Sequence, residues 1–138
     1  MDRKYTLFVD TSAWFALADK SDNYHQKAIN IYPGLIKDFD NLITTNFVIA
    51  ETYILIRRSL GHQAAVIFLE SITTSPRIRK IYSDRVLEEK AEDILRKYQD
   101  QDFSYTDAVS FAVMKQYGIE QAFSFDEHFN TAGFALIP

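Results

Sequence analysis

Thr6-Leu7-Phe8-Val9-Asp10-Thr11-Ser12-Ala13-Trp14-Phe15-Ala16-Leu17 is the stretch on which the fold turns. Its opening apolar run is too short for a helix and reads as a strand over 6–9. The run ends on a carboxylate. Apolar residues then resume with Trp14, Phe15 and Leu17, so a short helix is expected to start near Ser12. A strand that passes almost directly into a helix is the first half of a β–α unit, and the rest of the chain repeats the alternation. Further strands are expected at 41–44, 77–82 (edge-like, with basic and apolar residues alternating), 121–125 and 134–137. Helices are expected at 23–37, 46–60, 63–72, 84–98 and 104–117, with a short helical turn after Asp126. Ser21 or Asp22 is the expected cap of the 23–37 helix, and Pro33-Gly34 is expected to disturb it. Gly61 and Gly118 close the helices before them. Glu92–Arg96 and Asp93–Lys97 are the expected supporting pairs of the 84–98 helix. Short apolar runs alternating with longer amphipathic ones predict an α/β domain with a mainly parallel sheet.

The chain has 138 residues, which suits one domain spanning 1–138. A hydrophobic fraction of 47%, with 11 Phe and 8 Tyr, is enough to fill a core without staples. The absence of cysteine excludes disulfides and fits a reducing compartment. The apolar stretch 47–56 is short for a membrane span and carries Glu51, and the run before Asp10 is short for a signal peptide. A cytoplasmic protein is therefore expected. The net charge of −4 argues against a generally basic nucleic-acid binder. It leaves room for a nuclease, whose acidic site lowers the net charge.

Four carboxylates stand where burial is expected. Asp10 ends Leu7-Phe8-Val9, and Asp126 follows Ala122-Phe123-Ser124-Phe125. Glu51 lies within a helix apolar almost all round, and Asp107 precedes Ala108-Val109 and Phe111-Ala112-Val113. Desolvating an unpaired carboxylate costs several kcal/mol, so such groups are paired or bound to a cation. Strand carboxyl ends and the amino ends of following helices share one edge of a parallel sheet, where ligands bind. Four carboxylates there repel one another, and a hard divalent cation removes the conflict. With no cysteine and no histidine at ligand spacing, Mg²⁺ or Mn²⁺ fits better than Zn²⁺. Each residue also has a plainer role. Asp10 is placed to cap the following helix, Ser104-Tyr105-Thr106-Asp107 has the form of a capping box, and Asp126 is placed to start a turn. An arginine ion pair is the plainer role for Glu51, which lies too far into its helix to cap it.

Phe8-Val9-Asp10-Thr11-Ser12-Ala13 resembles the opening of PIN domains. Thr44-Thr45-Asn46-Phe47-Val48-Ile49-Ala50-Glu51-Thr52 resembles their second motif, and Phe103-Ser104-Tyr105-Thr106-Asp107-Ala108 the third. Ala122-Phe123-Ser124-Phe125-Asp126-Glu127-His128-Phe129 is similar to the fourth. Within that family the chain is most similar to the VapC-type toxins of toxin–antitoxin pairs. The resemblance implies a three-layer α/β/α sandwich and a ribonuclease that hydrolyses phosphodiesters of single-stranded or structured RNA. It implies that Asp10 and Asp107 are the firmest ligands of Mg²⁺ or Mn²⁺. Glu51 and Asp126 complete the site, and Ser12 and Ser124 support it by hydrogen bonding. It also implies an antitoxin partner and a homodimer.

For the RNA backbone, Arg57 and Arg58 form one candidate basic group, and Arg77 and Arg79, with Lys80, a second. Tyr53, Tyr105 and Trp14 are the aromatic candidates for stacking a base, set against a plainer reading as core aromatics. His25, His62 and His128 read as surface residues without a catalytic role. One competing function is an interaction module whose acidic pocket takes a basic segment, and a PIN-fold protein without a toxin role is another. A dehalogenase-like phosphatase needs a second Asp where Ser12 stands, and a receiver domain needs an acidic pair before Asp10. A flap-type DNA nuclease needs a longer chain. No Walker loop or Gly-rich dinucleotide turn is present.

Overall fold

A computed structural model describes residues 5–138. Five strands, β1 (Thr6–Val9), β2 (Asn41–Thr45), β3 (Ile78–Ile81), β4 (Gln121–Phe123) and β5 (Ala135–Ile137), form one sheet in the order β3-β2-β1-β4-β5. Every pairing is parallel, with Leu7 opposite Leu42, Phe8 opposite Ala122 and Leu42 opposite Ile78. The seven helices among the described residues are α1 (Thr11–Ala18), α2 (His25–Asp38), α3 (Asn46–Leu60), α4 (His62–Thr74), α5 (Arg85–Lys97), α6 (Tyr105–Tyr117) and α7 (His128–Thr131).

The chain steps outward from β1 to β2 to β3, then returns to the far side of β1 for β4 and β5. Parallel crossovers are right-handed, so reversing direction moves the connecting helices to the other face. Helices α1 to α4 cover one face and α5 to α7 the other, which makes the three-layer sandwich. The reversal falls between β1 and β4, and their carboxyl ends diverge into a crevice there. Residues 10 and 126 flank that crevice.

Local signals set most boundaries. Thr45 caps α3 with its hydroxyl on the Val48 N–H at 3.1 Å, and Asp84 caps α5 through the Leu87 N–H at 2.9 Å. Gly61 and Gly118 close α3 and α6 with positive φ, as expected of chain reversals that suit glycine. Three expectations need correction. Helix α2 runs unbroken through Pro33 and Gly34, both exposed, so the hydrogen bond that Pro33 withholds is lost on a solvent face. Its cap position is Tyr24 without a side-chain cap, while Asp22 holds the turn before it by accepting the Tyr24 N–H at 3.1 Å. Asp93 pairs with Arg96 at 2.8 Å rather than with Lys97, whose ammonium lies over the Tyr98 ring. The Glu92–Arg96 pair forms at 3.5 Å.

Residues Asp107 to Met114 are buried without interruption, a helix covered on all sides. Phe111 meets Phe103, Phe129 and Phe134, with ring centroids 5.0 to 5.8 Å apart, and Phe129 reaches Phe8 on β1. Each such ring contributes roughly 1.5–3 kcal/mol of burial. Together they tie α6 and α7 to the central strand, and with them the carboxylates each helix carries. No described helix is long and apolar enough to cross a membrane.

Candidate metal centre

Asp10 caps α1, and three hydrogen bonds converge on its Oδ2. The Ser12 N–H approaches to 3.5 Å, the Ser12 hydroxyl to 3.1 Å and the Ser124 hydroxyl to 3.0 Å. Each serine oxygen also accepts a main-chain N–H from the segment after β4. Ser12 takes that of Phe125 at 2.9 Å, and Ser124 that of Asp126 at 3.0 Å. Asp126 in turn accepts the His128 N–H on Oδ1 at 2.9 Å. One continuous network therefore fastens the end of β1 to the turn that presents Asp126. Both serine hydroxyls donate to the Asp10 carboxylate.

Asp107 enters from α6. It completes the capping box with Ser104, its Oδ2 accepting the Ser104 N–H at 3.1 Å while Ser104 Oγ accepts the Asp107 N–H at 2.9 Å. The same Oδ2 lies 3.0 Å from His128 Nδ1, which is also 3.4 Å from Asp126 Oδ1. Carboxylates only accept, so Nδ1 carries the proton in this arrangement. Asp107 Oδ1 has no hydrogen-bond partner among the described residues.

The expected surface position of His128 needs correction. The residue is half-buried and edge-on to Phe103, with ring centroids 5.1 Å apart. The available signal was its place two residues after Asp126. The tight turn closed by Asp126 Oδ1 folds the imidazole back onto both aspartates.

Electrostatics show the strain of the cluster. Burial pushes the Asp10 carboxyl up to about 6, reinforced by the charge of Asp107 and opposed by hydrogen bonds from the Thr11 backbone, Ser124 and Ser12. Burial alone pulls the His128 pKa down. The hydrogen bond to Asp107 and the charges of Asp126, Asp107 and Asp102 outweigh it and leave it raised above 6.5. Asp107, Asp126 and His128 each offer a ligand atom, all within 4.8 Å of one another. Asp10 stands beside this trio, near enough to feel the charge of Asp107. Clustered carboxylates, one of them resisting ionisation, fit a divalent cation.

Glu51 occupies the second turn of α3, half-buried, with no hydrogen bond or ion pair among the described residues. The arginine pair that would give it a structural role is absent there. It lies outside the trio of Asp107, Asp126 and His128.

The expected RNA-gripping residues scatter. Arg77 precedes β3, at the sheet edge opposite the carboxylates, and its guanidinium holds the main-chain carbonyls of Ile36 at 2.8 Å and Phe39 at 3.3 Å. That is a structural tie at the end of α2. Arg79 lies exposed within β3. Arg57 and Arg58 lie exposed in the last turn of α3, with Arg57 bonded to Tyr53 and His62. They stand about 10 Å along the helix axis from Glu51. The stacking candidates are also committed. Trp14 is buried, with its Nε1 directed to Thr44, and the Tyr105 hydroxyl donates to Glu92 at 2.9 Å.

The sequence profile described as the PIN domain matches residues 7–135. A 23S rRNA-specific endonuclease, VapC20 of Mycobacterium tuberculosis, is 37% identical over 135 residues, covering 95% of this chain and 97% of that protein. A VapC ribonuclease of Archaeoglobus fulgidus is 27% identical over 124 residues, covering 88% and 78%. Among solved structures, M. tuberculosis VapC20, described as a sarcin–ricin loop cleaving toxin, superposes with a TM-score of 0.86 at 36% identity, covering 94% and 96%. FitAcB from Neisseria gonorrhoeae shares the fold, with a TM-score of 0.68 at 15% identity and 96% of both chains covered.

Proposed function

The chain belongs to the PIN-domain family, and from that premise we propose that it is a metal-dependent endoribonuclease, the toxin of a toxin–antitoxin pair. The observation that carries the reading is the network joining Asp10, Ser12, Ser124 and Asp126 beside Asp107 and His128. Nothing in the packing of the core requires that concentration of acid.

Asp10, Asp107 and Asp126, with Glu51, would hold Mg²⁺ or Mn²⁺. When bound, the cation lowers the pKa of a water molecule and neutralises charge that builds on the phosphate. The chain's own residues do the rest. Ser12 and Ser124 fix Asp10 through Oδ2. Ser104 and His128 fix Asp107 through Oδ2 and leave its Oδ1 without a hydrogen-bond partner among the described residues. Asp126 is partly committed to His128. Glu51, which bonds to no described residue, orients the attacking water and accepts its proton. The water oxygen bonds to phosphorus as the bond to the leaving oxygen breaks.

The 23S rRNA specificity of the relative at 37% identity makes ribosomal RNA the first substrate to test. An apolar cavity of about 480 Å³ between α1 and α4 is lined by Trp14, Leu17, Tyr32 and Phe68, with Leu60 and Ile67 exposed. It supports the antitoxin part of the proposal. A homodimer and a cytoplasmic location belong to the same reading.

The test is cleavage of labelled ribosomal RNA by wild type, Asp10→Asn and Asp107→Asn, with Mg²⁺, with Mn²⁺ and with EDTA. Metal-dependent cutting that both substitutions abolish is expected. Cutting by the variants at the wild-type rate would sink the proposal.

A further inference from the structure

We propose that the exposed ring of Tyr24, stacked on Phe125 at the rim of the metal centre, is the platform on which a single-stranded nucleobase of the substrate stacks. The inference rests on the ribonuclease reading and adds to it how an acidic protein grips RNA.

Tyr24 lies in the turn between α1 and α2 and is 48% exposed. Its ring is nearly parallel to that of Phe125, with centroids 4.5 Å apart and an interplanar angle of 12°. One face is therefore covered by Phe125, and the exposed area belongs to the other face and the edge. Phe125 is itself anchored. Its N–H donates to Ser12 Oγ at 2.9 Å, and its ring packs edge-on against Phe123, which is fully buried. The turn is held from the other side, since Asp22 accepts the Tyr24 N–H. A ring preset in this way loses little freedom when a base lands on it.

Its location gives the stack its meaning. Phe125 sits between Ser124, which bonds Asp10, and Asp126, one residue or about 3.8 Å of backbone from each. A base on Tyr24 thus stacks one ring beyond Phe125, whose chain neighbours Ser124 and Asp126 belong to the carboxylate network. The acidic edge repels a phosphate backbone, whereas stacking on a π-face needs no positive charge. Single-stranded and splayed bases are the ones free to stack on an aromatic side chain. Two of the other aromatic candidates are already occupied. Trp14 is buried and Tyr105 packs on Phe47 with its hydroxyl tied to Glu92.

The experiment compares wild type with Tyr24→Phe, Tyr24→Trp, Tyr24→Leu and Tyr24→Ala. One arm measures binding of a single-stranded RNA carrying 2-aminopurine in EDTA, where stacking on an aromatic ring quenches the fluorescence. The other measures kcat and KM on ribosomal RNA with Mg²⁺. Phe and Trp should keep the quenching and stay within about threefold of wild type in affinity. Leu and Ala should lose the quenching and weaken binding by about tenfold to a hundredfold. In the cutting arm they should raise KM with kcat unchanged. Leucine fills space without a π-face, so a leucine variant that binds like wild type would reduce Tyr24 to packing and overturn the proposal. Cutting by wild type with KM unchanged in the alanine variant would overturn the stack and leave the nuclease standing. A wild type that neither binds the probe nor cuts ribosomal RNA would overturn both.

Discussion

Helix α1 begins and ends on an aspartate, and the two have nearly the same surroundings on paper. Asp10 caps its start and Asp19 its end, 3% and 4% exposed. Each is bonded by the serine two residues on, Ser12 and Ser21, and by a distant serine, Ser124 and Ser59. The helix dipole favours a carboxylate at the start and disfavours one at the end, by about 0.3–1 kcal/mol. The pKa shifts run the other way. Hydrogen bonds from Ser59 and Ser21 hold Asp19 below its usual value. Burial holds Asp10 up at about 6 despite its own hydrogen bonds. Asp10 lies deep and faces Asp107, whereas Asp19 lies just beneath the surface and faces His25. Desolvation beside a like charge outweighs the dipole. One aspartate is a fastener between α1 and α3, and the other is kept under strain that a cation relieves.

The widest separation between them should appear in catalysis. Asp10→Asn should lower kcat/KM on ribosomal RNA by about a thousandfold or more, some 4 kcal/mol of transition-state stabilisation. Asp19→Asn should leave it within about twofold; equal losses in the two variants would erase the distinction. The serines should divide next. Ser124→Ala and Ser12→Ala should weaken Mn²⁺ binding, followed by calorimetry, about tenfold to a hundredfold, as for groups that orient metal ligands. Ser59→Ala should not change it. His128→Ala should join the first group, while His128→Asn, whose amide can stand in for Nδ1–H, should recover part of the loss.

Stability should then diverge in sign. A folded-state pKa raised to about 6 contributes stability that is complete below the unfolded value near 4 and lost as pH rises through 6. Melting in EDTA at pH 7.5 should therefore find Asp10→Asn about 1–3 kcal/mol more stable than wild type. That advantage should vanish below pH 4. Asp19 has the depressed pKa, so its contribution is present above about 4 and lost as pH falls below that. Asp19→Asn should melt lower than wild type at pH 7.5, with the gap closing in acid. Asp10→Asn melting below wild type in EDTA would refute the strain at that position. The smallest effect is assigned to Arg77→Ala, which should cost about 1 kcal/mol of stability through the lost Ile36 and Phe39 carbonyl contacts and leave cleavage unchanged.

Much of this was legible in the chain because strand ends and helix starts leave local marks. Asp10, Glu51, Asp107 and Asp126 were each visible as acids in apolar company. The serine-to-aspartate spacing at Ser104 and Asp107 announced the capping box. What escaped were contacts between segments distant in the chain. Its place two residues after Asp126 marks a turn at His128, but that α7 carries it toward α6 depends on Phe129 docking against Phe111 and Phe8. Arg77 looked like a phosphate ligand because its neighbours are basic, but strand order puts it at the opposite edge. Pro33 looked like a helix breaker because the sequence does not say which face of α2 meets water.

The insertion of β1 between β2 and β4 also governs when the site can exist. Asp10 and Ser124 are separated by 114 positions, so at about 5–20 residues per second synthesis reaches Ser124 roughly 6 to 23 seconds after Asp10. Late in that interval the nascent chain can form β1, β2 and β3, but Asp10 has only Ser12 for support and neither Asp126 nor His128 for company. The strand that completes the crevice is among the last to be made. A ribosome stalled between β3 and residue 121 therefore holds a polypeptide with its first carboxylate in place and no means of using it.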